Sequence, residues 1–225
     1  MMRSSTGRAP SLAVLLSLVL VSGACRTTPA SSSAAIPGGF LKPYRFSVDW
    51  FSSRIQNWKR ILAEFQGKPD VHYLEIGVFE GRSFIWMLEN ILTHPSARAT
   101  GIDIFPDDLE ARFHSNLELT GAADKVSVLK GRSQIVLRGL PLDSFDLIYV
   151  DGSHIAKDTL TDAVLSWQLL KPGGILIFDD YLWRPNESSD TTPHIAIDAF
   201  MTAFRDEFEV VLYGYQVALR KVHHH

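Results

Sequence analysis

The chain has 225 residues, 46% hydrophobic and 21% charged, which is ordinary globular composition with enough apolar material for one sizeable core. Its formal net charge of -3, with Lys and Arg scattered along the chain, gives no general attraction for polyanions and argues against nucleic acid as a partner. Cys25 is the single cysteine, which rules out an internal disulfide framework, so export cannot be inferred from cysteine pairing.

Residues 1–25 differ in kind from the rest. Arg3 and Arg8 precede an apolar run over 12–21, followed by small residues and Cys25, the layout of a secretory or lipoprotein signal or an anchor. The run is short for a bilayer span, and Ser22 stands where a lipobox normally has an aliphatic residue. A misassigned upstream start would make the segment irrelevant. Residues 26–47 are expected to be a flexible linker, with Ser, Ala, Pro and Gly concentrated over 27–39. The main domain is expected over 48–222, and His223, His224 and His225 read as a tag remnant that carries no metal argument.

Residues 48–65 place Phe51, Ile55, Trp58, Ile61, Leu62 and Phe65 at helical spacing before Gly67 and Pro69, which predicts an amphipathic lead-in helix. Short apolar runs then alternate with helical patterns. Strands are expected at 71–76, 99–104, 126–129, 145–150 and 175–178, with helices at 83–92, 109–119, 133–140 and 157–170. Strands this apolar are buried on both faces, which requires a parallel sheet covered by helices, so the fold class is α/β. The last segment breaks the alternation: a helix over 194–208 precedes two strands, 209–213 and 215–220, joined so tightly at Gly214 that they must be antiparallel.

In open α/β sheets ligands bind outside the carboxyl ends of the strands, so the residues where each strand stops matter most. The first stops at Glu75, Gly77, Gly81 and Ser83, where two glycines bracket the turn into a helix whose start offers N–H donors to a carboxylate. Glu75 occupies the place of the first glycine of a dinucleotide fingerprint. A carboxylate there repels a pyrophosphate and favours a cationic ligand such as an amino group. A capping glutamate in an ordinary glycine-containing turn is the alternative. The second strand ends at Asp103, about 26 residues after Gly77, where an acid can accept from both hydroxyls of a ribose or serve as a turn residue before Pro106. Ser133 and Gln134, after the third strand, can meet an adenine edge or simply start a helix. The fourth and fifth strands end at Asp151 and at Asp179 with Asp180. Three carboxylates at adjacent strand ends share a site cheaply only with a cation present, and hard oxygen ligands suit magnesium or calcium.

Leu74 to Ser83, Gly101 to Asp103, Gly131 to Gln134, Val150 to His154 and Lys171 to Asp180, in that order, resemble the cation-dependent catechol and caffeoyl-coenzyme-A O-methyltransferases, and more closely a bacterial group of small methyltransferases related to them. The resemblance covers residues 71–183 and implies a class I S-adenosyl-L-methionine-dependent methyltransferase domain. Its Rossmann-like, doubly wound, mostly parallel seven-stranded sheet closes with the C-terminal antiparallel hairpin that sets methyltransferase sheets apart from plain dinucleotide-binding ones. By position it places Glu75, Gly77, Gly81 and Ser83 around the methionine portion of the cofactor, Asp103 on the ribose, and Ser133 and Gln134 near the adenine. Asp151, Asp179 and Asp180 fall on the metal ligands, with Mg2+ the expected cation, and His154 falls where the catechol enzymes have a lysine as general base. The chain departs from the pattern at Asp180, typically asparagine in the relatives, and at His154, which can act as base, metal ligand or plain loop residue.

The expected reaction is metal-assisted methylation of a hydroxyl on a small molecule or sugar, with Asp151 holding the cation and His154 removing the proton. Tyr181, Trp183, Trp50 and Phe51 either wall the acceptor pocket or are ordinary aromatics. Two other readings stand beside this one. An NAD-type oxidoreductase would also use Asp103, though the phosphate loop is absent. An exported lipoprotein could keep the fold without catalysis. A cytoplasmic catalytic domain is expected because the cofactor is an intracellular metabolite, while the N-terminal segment leaves a membrane tether or export open, as it leaves a homodimer open.

Overall fold

The computed structural model describes residues 42–106, 108–183 and 192–222. The signal-like segment 1–25, the expected linker as far as residue 41, and the terminal histidines lie outside the described residues. Seven strands, β1 (His72–Ile76), β2 (Arg98–Asp103), β3 (Val126–Lys130), β4 (Phe145–Val150), β5 (Leu170–Phe178), β6 (Phe208–Tyr213) and β7 (Val217–Lys221), form one sheet in the order β3-β2-β1-β4-β5-β7-β6. The first five pair in parallel, and β7 lies antiparallel between β5 and β6, as the tight turn at Gly214 requires. The helices are α1 (Ile55–Ile61), α2 (Arg82–Asn90), α3 (Leu109–Thr120), α4 (Ser133–Val136), α5 (Ala156–Leu169) and α6 (Pro193–Ala203).

Alternate residues of each central strand feed two cores. Tyr73, Leu147, Tyr149, Ile175 and Ile177 pack with Trp58, Phe84, Met87 and Phe113 from α1, α2 and α3. Their neighbours Leu74, Ile76, Ile148, Val150, Leu176 and Phe178 pack with Trp167, Ile197 and Phe200 from α5 and α6. This double burial explains the near-continuous apolar runs of the sequence. Among the described residues, no helix is long and apolar enough to cross a membrane.

Several boundaries differ from expectation. The lead-in helix over 48–65 is only α1, flanked by 3-10 turns at Ser52–Arg54 and Ala63–Phe65. The Asp49 carboxylate accepts from Ser52 N at 2.9 Å in the turn before the first 3-10 segment, and neither that segment nor α1 has a side-chain cap at its N-terminus. The expected helix 133–140 is four residues of α-helix followed by a 3-10 turn, and α6 stops at Ala203, where Phe204 leaves helical geometry. Strand β5 begins earlier than expected because Leu170 already pairs with Phe145, with a register shift before Ile175 pairs with Leu147.

Candidate functional site

The strand order reverses between β1 and β4, and a ligand crevice is expected at their carboxyl ends. Gly77 leaves β1 there with φ +88°, and its N–H donates to Ile102 O, while Asp151 N donates to Ile76 O. Beside it runs a cleft of about 500 Å³ lined by Gly77, Asp103, Ser133, Gln134, Gly152 and Asp158, among others. The expected ribose-binding and adenine-binding residues therefore share one cavity.

Asp103 organises the near wall of this cleft. Its Oδ2 accepts from Phe79 N at 2.9 Å and its Oδ1 from Phe105 N at 2.7 Å. Both phenylalanines have positive φ, +50° and +46°, a conformation that a bulky side chain adopts only when its surroundings enforce it. Ser133 and Gln134 line the far end, and both turn inward onto one carboxylate: Ser133 Oγ donates to Asp162 Oδ2 at 2.9 Å and Gln134 Nε2 to Asp162 Oδ1 at 3.2 Å. Asp162 is fully buried on α5, and burial pushes its carboxyl up to about 6 against the two hydrogen bonds.

Glu75 has no exposed surface. Ser83 Oγ and Tyr73 OH each donate to it at 2.5 Å, and no cation pairs with it among the described residues. Burial pushes it up to about 8, with Asp103 and Asp179 adding to the rise. Gly81, expected beside the cofactor, does not line the cleft; its missing side chain lets the start of α2 pack on the Phe113 ring. Ser83 and Gly77 do reach a second, smaller recess of about 50 Å³, shared with Trp50, Phe51, Tyr149, Asp151 and Asp179.

The roof of that recess, Val48, Trp50 and Phe51, comes from the start of the expected lead-in helix, and residues 42–47 before it are the stretch expected to end the flexible linker. Residues 42–51 are instead strapped onto α2 and α3. Asn116 exchanges two hydrogen bonds with the Arg45 backbone, Ser47 N donates to Glu80 Oε2 at 2.6 Å, Tyr44 OH donates to Glu89 at 2.5 Å, and Arg82 holds Val48 O and Asp49. Glu80 is buried and also pairs with Arg112. Trp50 rests on Phe79, with ring centroids 5.5 Å apart.

The acids at the ends of β4 and β5 meet as their adjacency requires, but they divide into two groups. Asp179 accepts from Tyr149 OH at 2.5 Å, and the same hydroxyl lies 3.0 Å from Asp151. Asp151, His154 and Asp180 form the group whose ligand atoms all lie within 4.8 Å of one another. Asp180 is held from both sides, by His154 Nε2 at 2.5 Å and by Tyr215 OH at 2.7 Å, and the His154 ring lies on Trp183. Burial and then the neighbouring Asp179 and Asp180 carry Asp151 well above the carboxylate range. Burial and Asp180 likewise raise Asp179, and the bond to Asp180 raises His154. The sequence reading did not identify Glu80, Tyr149, Asp162 or Tyr215. Asp162 alone left a trace: an acid on the stripe of α5 that buries Thr159, Ala163 and Ser166.

Residues 74–181 match the family described as a methyltransferase domain. A Mycobacterium marinum protein named "Putative O-methyltransferase" is 30% identical over 152 residues, which is 67% of this chain and 63% of that protein. The chain thus spans between half and two thirds of the length of the curated relatives it matches first. The crystal structure of an O-methyltransferase from Bacillus cereus in complex with SAH superposes with a TM-score of 0.58 at 20% identity, over 77% of this chain and 82% of that one. The MycE methyltransferase of the mycinamycin biosynthetic pathway, in complex with Mg and SAH, gives 0.55 at 19% identity, over 78% of this chain and 51% of that one. At such identities these likenesses show the fold.

Proposed function

We propose that the chain, matched over residues 74–181 by a methyltransferase domain family, carries a class I S-adenosylmethionine-dependent methyltransferase domain, and that the protein is an O-methyltransferase that binds this cofactor in the cleft from Gly77 to Gln134 and methylates a hydroxyl of a small molecule or sugar. The observation that carries the reading is the division of the site. A nucleoside-sized cleft runs from Asp103 to Gln134, and a recess ends in the acids of β4 and β5, with Gly77 lining both.

The residues fit the cofactor at each portion. Asp103, with both oxygens fixed by backbone donors, keeps lone pairs for ribose hydroxyls. Glu75 is a buried carboxylate without a cation, which suits the amino group of a methionyl moiety placed against the Glu75 and Ser83 pair. When bound, the cofactor supplies a methyl group on a sulfonium centre, ready for direct displacement. The Asp151 and Asp180 carboxylates also fit a divalent cation, since their oxygens converge and the acids are crowded and poorly solvated. A bound cation would lower the pKa of the acceptor hydroxyl.

The chain's own groups do the remaining work. Asp180 accepts from His154 Nε2, which fixes the ring and leaves Nδ1 to take the acceptor proton. Tyr215 OH holds Asp180 in that orientation, and Tyr149 OH keeps Asp179 and Asp151 in place. Trp50 and Phe51, on the strap, help close the recess to water.

Calorimetric titration with S-adenosylmethionine, S-adenosylhomocysteine and NAD, each with and without magnesium, tests the reading. Binding of both sulfur nucleotides but not NAD is expected, with a magnesium effect that Asp151→Ala removes. Failure of both sulfur nucleotides to bind would overturn it.

A further inference from the structure

The far end of the cleft is built in an unusual electronic sense. Asp162 is fully buried behind α4, and as a carboxylate it can only accept hydrogen bonds. Ser133 has one hydroxyl proton, and it points at Asp162 Oδ2. Gln134 can reach Asp162 Oδ1 only with its Nε2, so its amide cannot flip without losing that bond. What remains for the cleft is therefore the lone pairs of Ser133 Oγ, the Gln134 carbonyl oxygen and the second proton of Gln134 Nε2, with the amide held in one orientation. Without Asp162, a serine hydroxyl and a free amide would offer donor or acceptor to whichever base arrived.

Resting on the cofactor reading above, we propose that Asp162 is a positioning residue that sets base specificity: it makes Ser133 Oγ an obligate acceptor and locks the Gln134 amide with its carbonyl oxygen free to accept, so that the cleft takes a 6-aminopurine in preference to a 6-oxopurine. The exocyclic amino group of adenine donates into such a wall. The O6 of hypoxanthine brings lone pairs against lone pairs, and a buried acceptor left without a donor is penalised. Residues that touch the base cannot impose this alone, because the polarity of each is decided one layer behind it. The raised Asp162 carboxyl is ionised above about 6, so the lock is set at neutral and alkaline pH.

The test is titration of the full chain at pH 8 with S-adenosylhomocysteine and with its hypoxanthine counterpart, S-inosylhomocysteine. The unaltered protein is expected to prefer the adenosyl ligand by about 10- to 100-fold, the range for one unmatched buried polar group. Asp162→Asn, which must donate to one of its two partners, is expected to reduce that ratio to within about threefold while the domain still unfolds cooperatively. Ser133→Ala removes one acceptor from a half-buried position and gives a second reading of the same ratio should Asp162→Asn fail to fold. Equal affinity for the two ligands in the unaltered protein would overturn the proposal and leave the cofactor assignment standing, as would a folded Asp162→Asn that keeps the full preference. Binding of neither ligand would overturn the cofactor assignment and this proposal with it.

Discussion

Gly77 meets Asp151 so closely at the junction of β1 and β4 that a β-carbon on the glycine would stand 2.0 Å from the Asp151 carbonyl oxygen. The contact is backbone against backbone, so no side-chain rotation relieves it, and φ at Gly77 is +88°. Gly77→Ala is expected to cost about 2 to 5 kcal/mol from overpacking and backbone strain together. Gly121, also at positive φ but with nothing within 4 Å, is the control: alanine there is expected to cost about 1 kcal/mol. Chemical denaturation of the two variants checks the difference.

Glu75 couples ligand binding to a proton. With its folded value pushed up from 4.5 to about 8, the free domain holds Glu75 largely protonated at pH 7. An acid whose folded value is raised loses stability as pH rises from the unfolded value through the folded one. This group therefore weakens the ligand-free fold between about pH 4.5 and 8, by roughly 5 kcal/mol in full. Glu75→Gln is expected to equal the native protein in stability near pH 4 and to exceed it near pH 8, as followed by thermal unfolding. Bringing a cationic amino group to Glu75 restores the carboxylate, so cofactor binding at pH 7 should release close to one proton. Calorimetry in buffers of different ionisation enthalpy measures that release, and Glu75→Gln should abolish it.

Asp103 is the acceptor for two backbone N–H groups that stand 26 residues apart, those of Phe79 and Phe105. Asparagine can accept only one of them, and the other is left facing an amide N–H. Asp103→Asn is expected to cost about 1 to 3 kcal/mol of stability even without ligand, measurable by denaturant unfolding. Cofactor affinity should fall as well, since two walls of the cleft loosen together.

Removing the imidazole of His154 should leave cofactor affinity intact and lower kcat by about 10² to 10⁴-fold. Steady-state kinetics of His154→Ala beside titration with S-adenosylhomocysteine separates the two effects. Tyr215→Phe keeps the ring and deletes the hydroxyl that steadies Asp180, so a smaller fall in kcat at unchanged cofactor affinity is expected.

Glu80 ties the strap to the domain. Truncating it to alanine strands the Ser47 N–H and breaks the buried end of the pair with Arg112. The expected cost is about 1 to 3 kcal/mol, chiefly from the Ser47 N–H left without its acceptor. Limited proteolysis within 42–50 should accelerate more than cleavage elsewhere, showing that the strap opens before the core.

The sequence by itself determined the α/β class, the parallel run of β1 to β5, the closing hairpin and the positions at strand ends where a ligand site must lie. These follow from apolar periodicity and from the length of each connection, both local properties of the chain. It also placed Asp103, Ser133, Gln134, Asp151, Asp179 and Asp180 at or just after the carboxyl ends of strands, while the strand order that makes those ends neighbours came from the tertiary structure. Tertiary structure alone decided what each polar group bonds. Tyr149 reads as one more aromatic in an apolar strand, yet its hydroxyl holds Asp179 and Asp151. Residues 42–47 read as the end of a linker, yet they are anchored by Asn116 on α3 and by Glu80 in the turn between β1 and α2, both far along the chain. Asp180 has its orientation from Tyr215 and His154, which lie 35 and 26 residues from it in sequence. A hydrogen bond needs its two atoms within about 3 Å, and for partners on different elements that distance is set by how helices and strands pack, which no local pattern of residue types records.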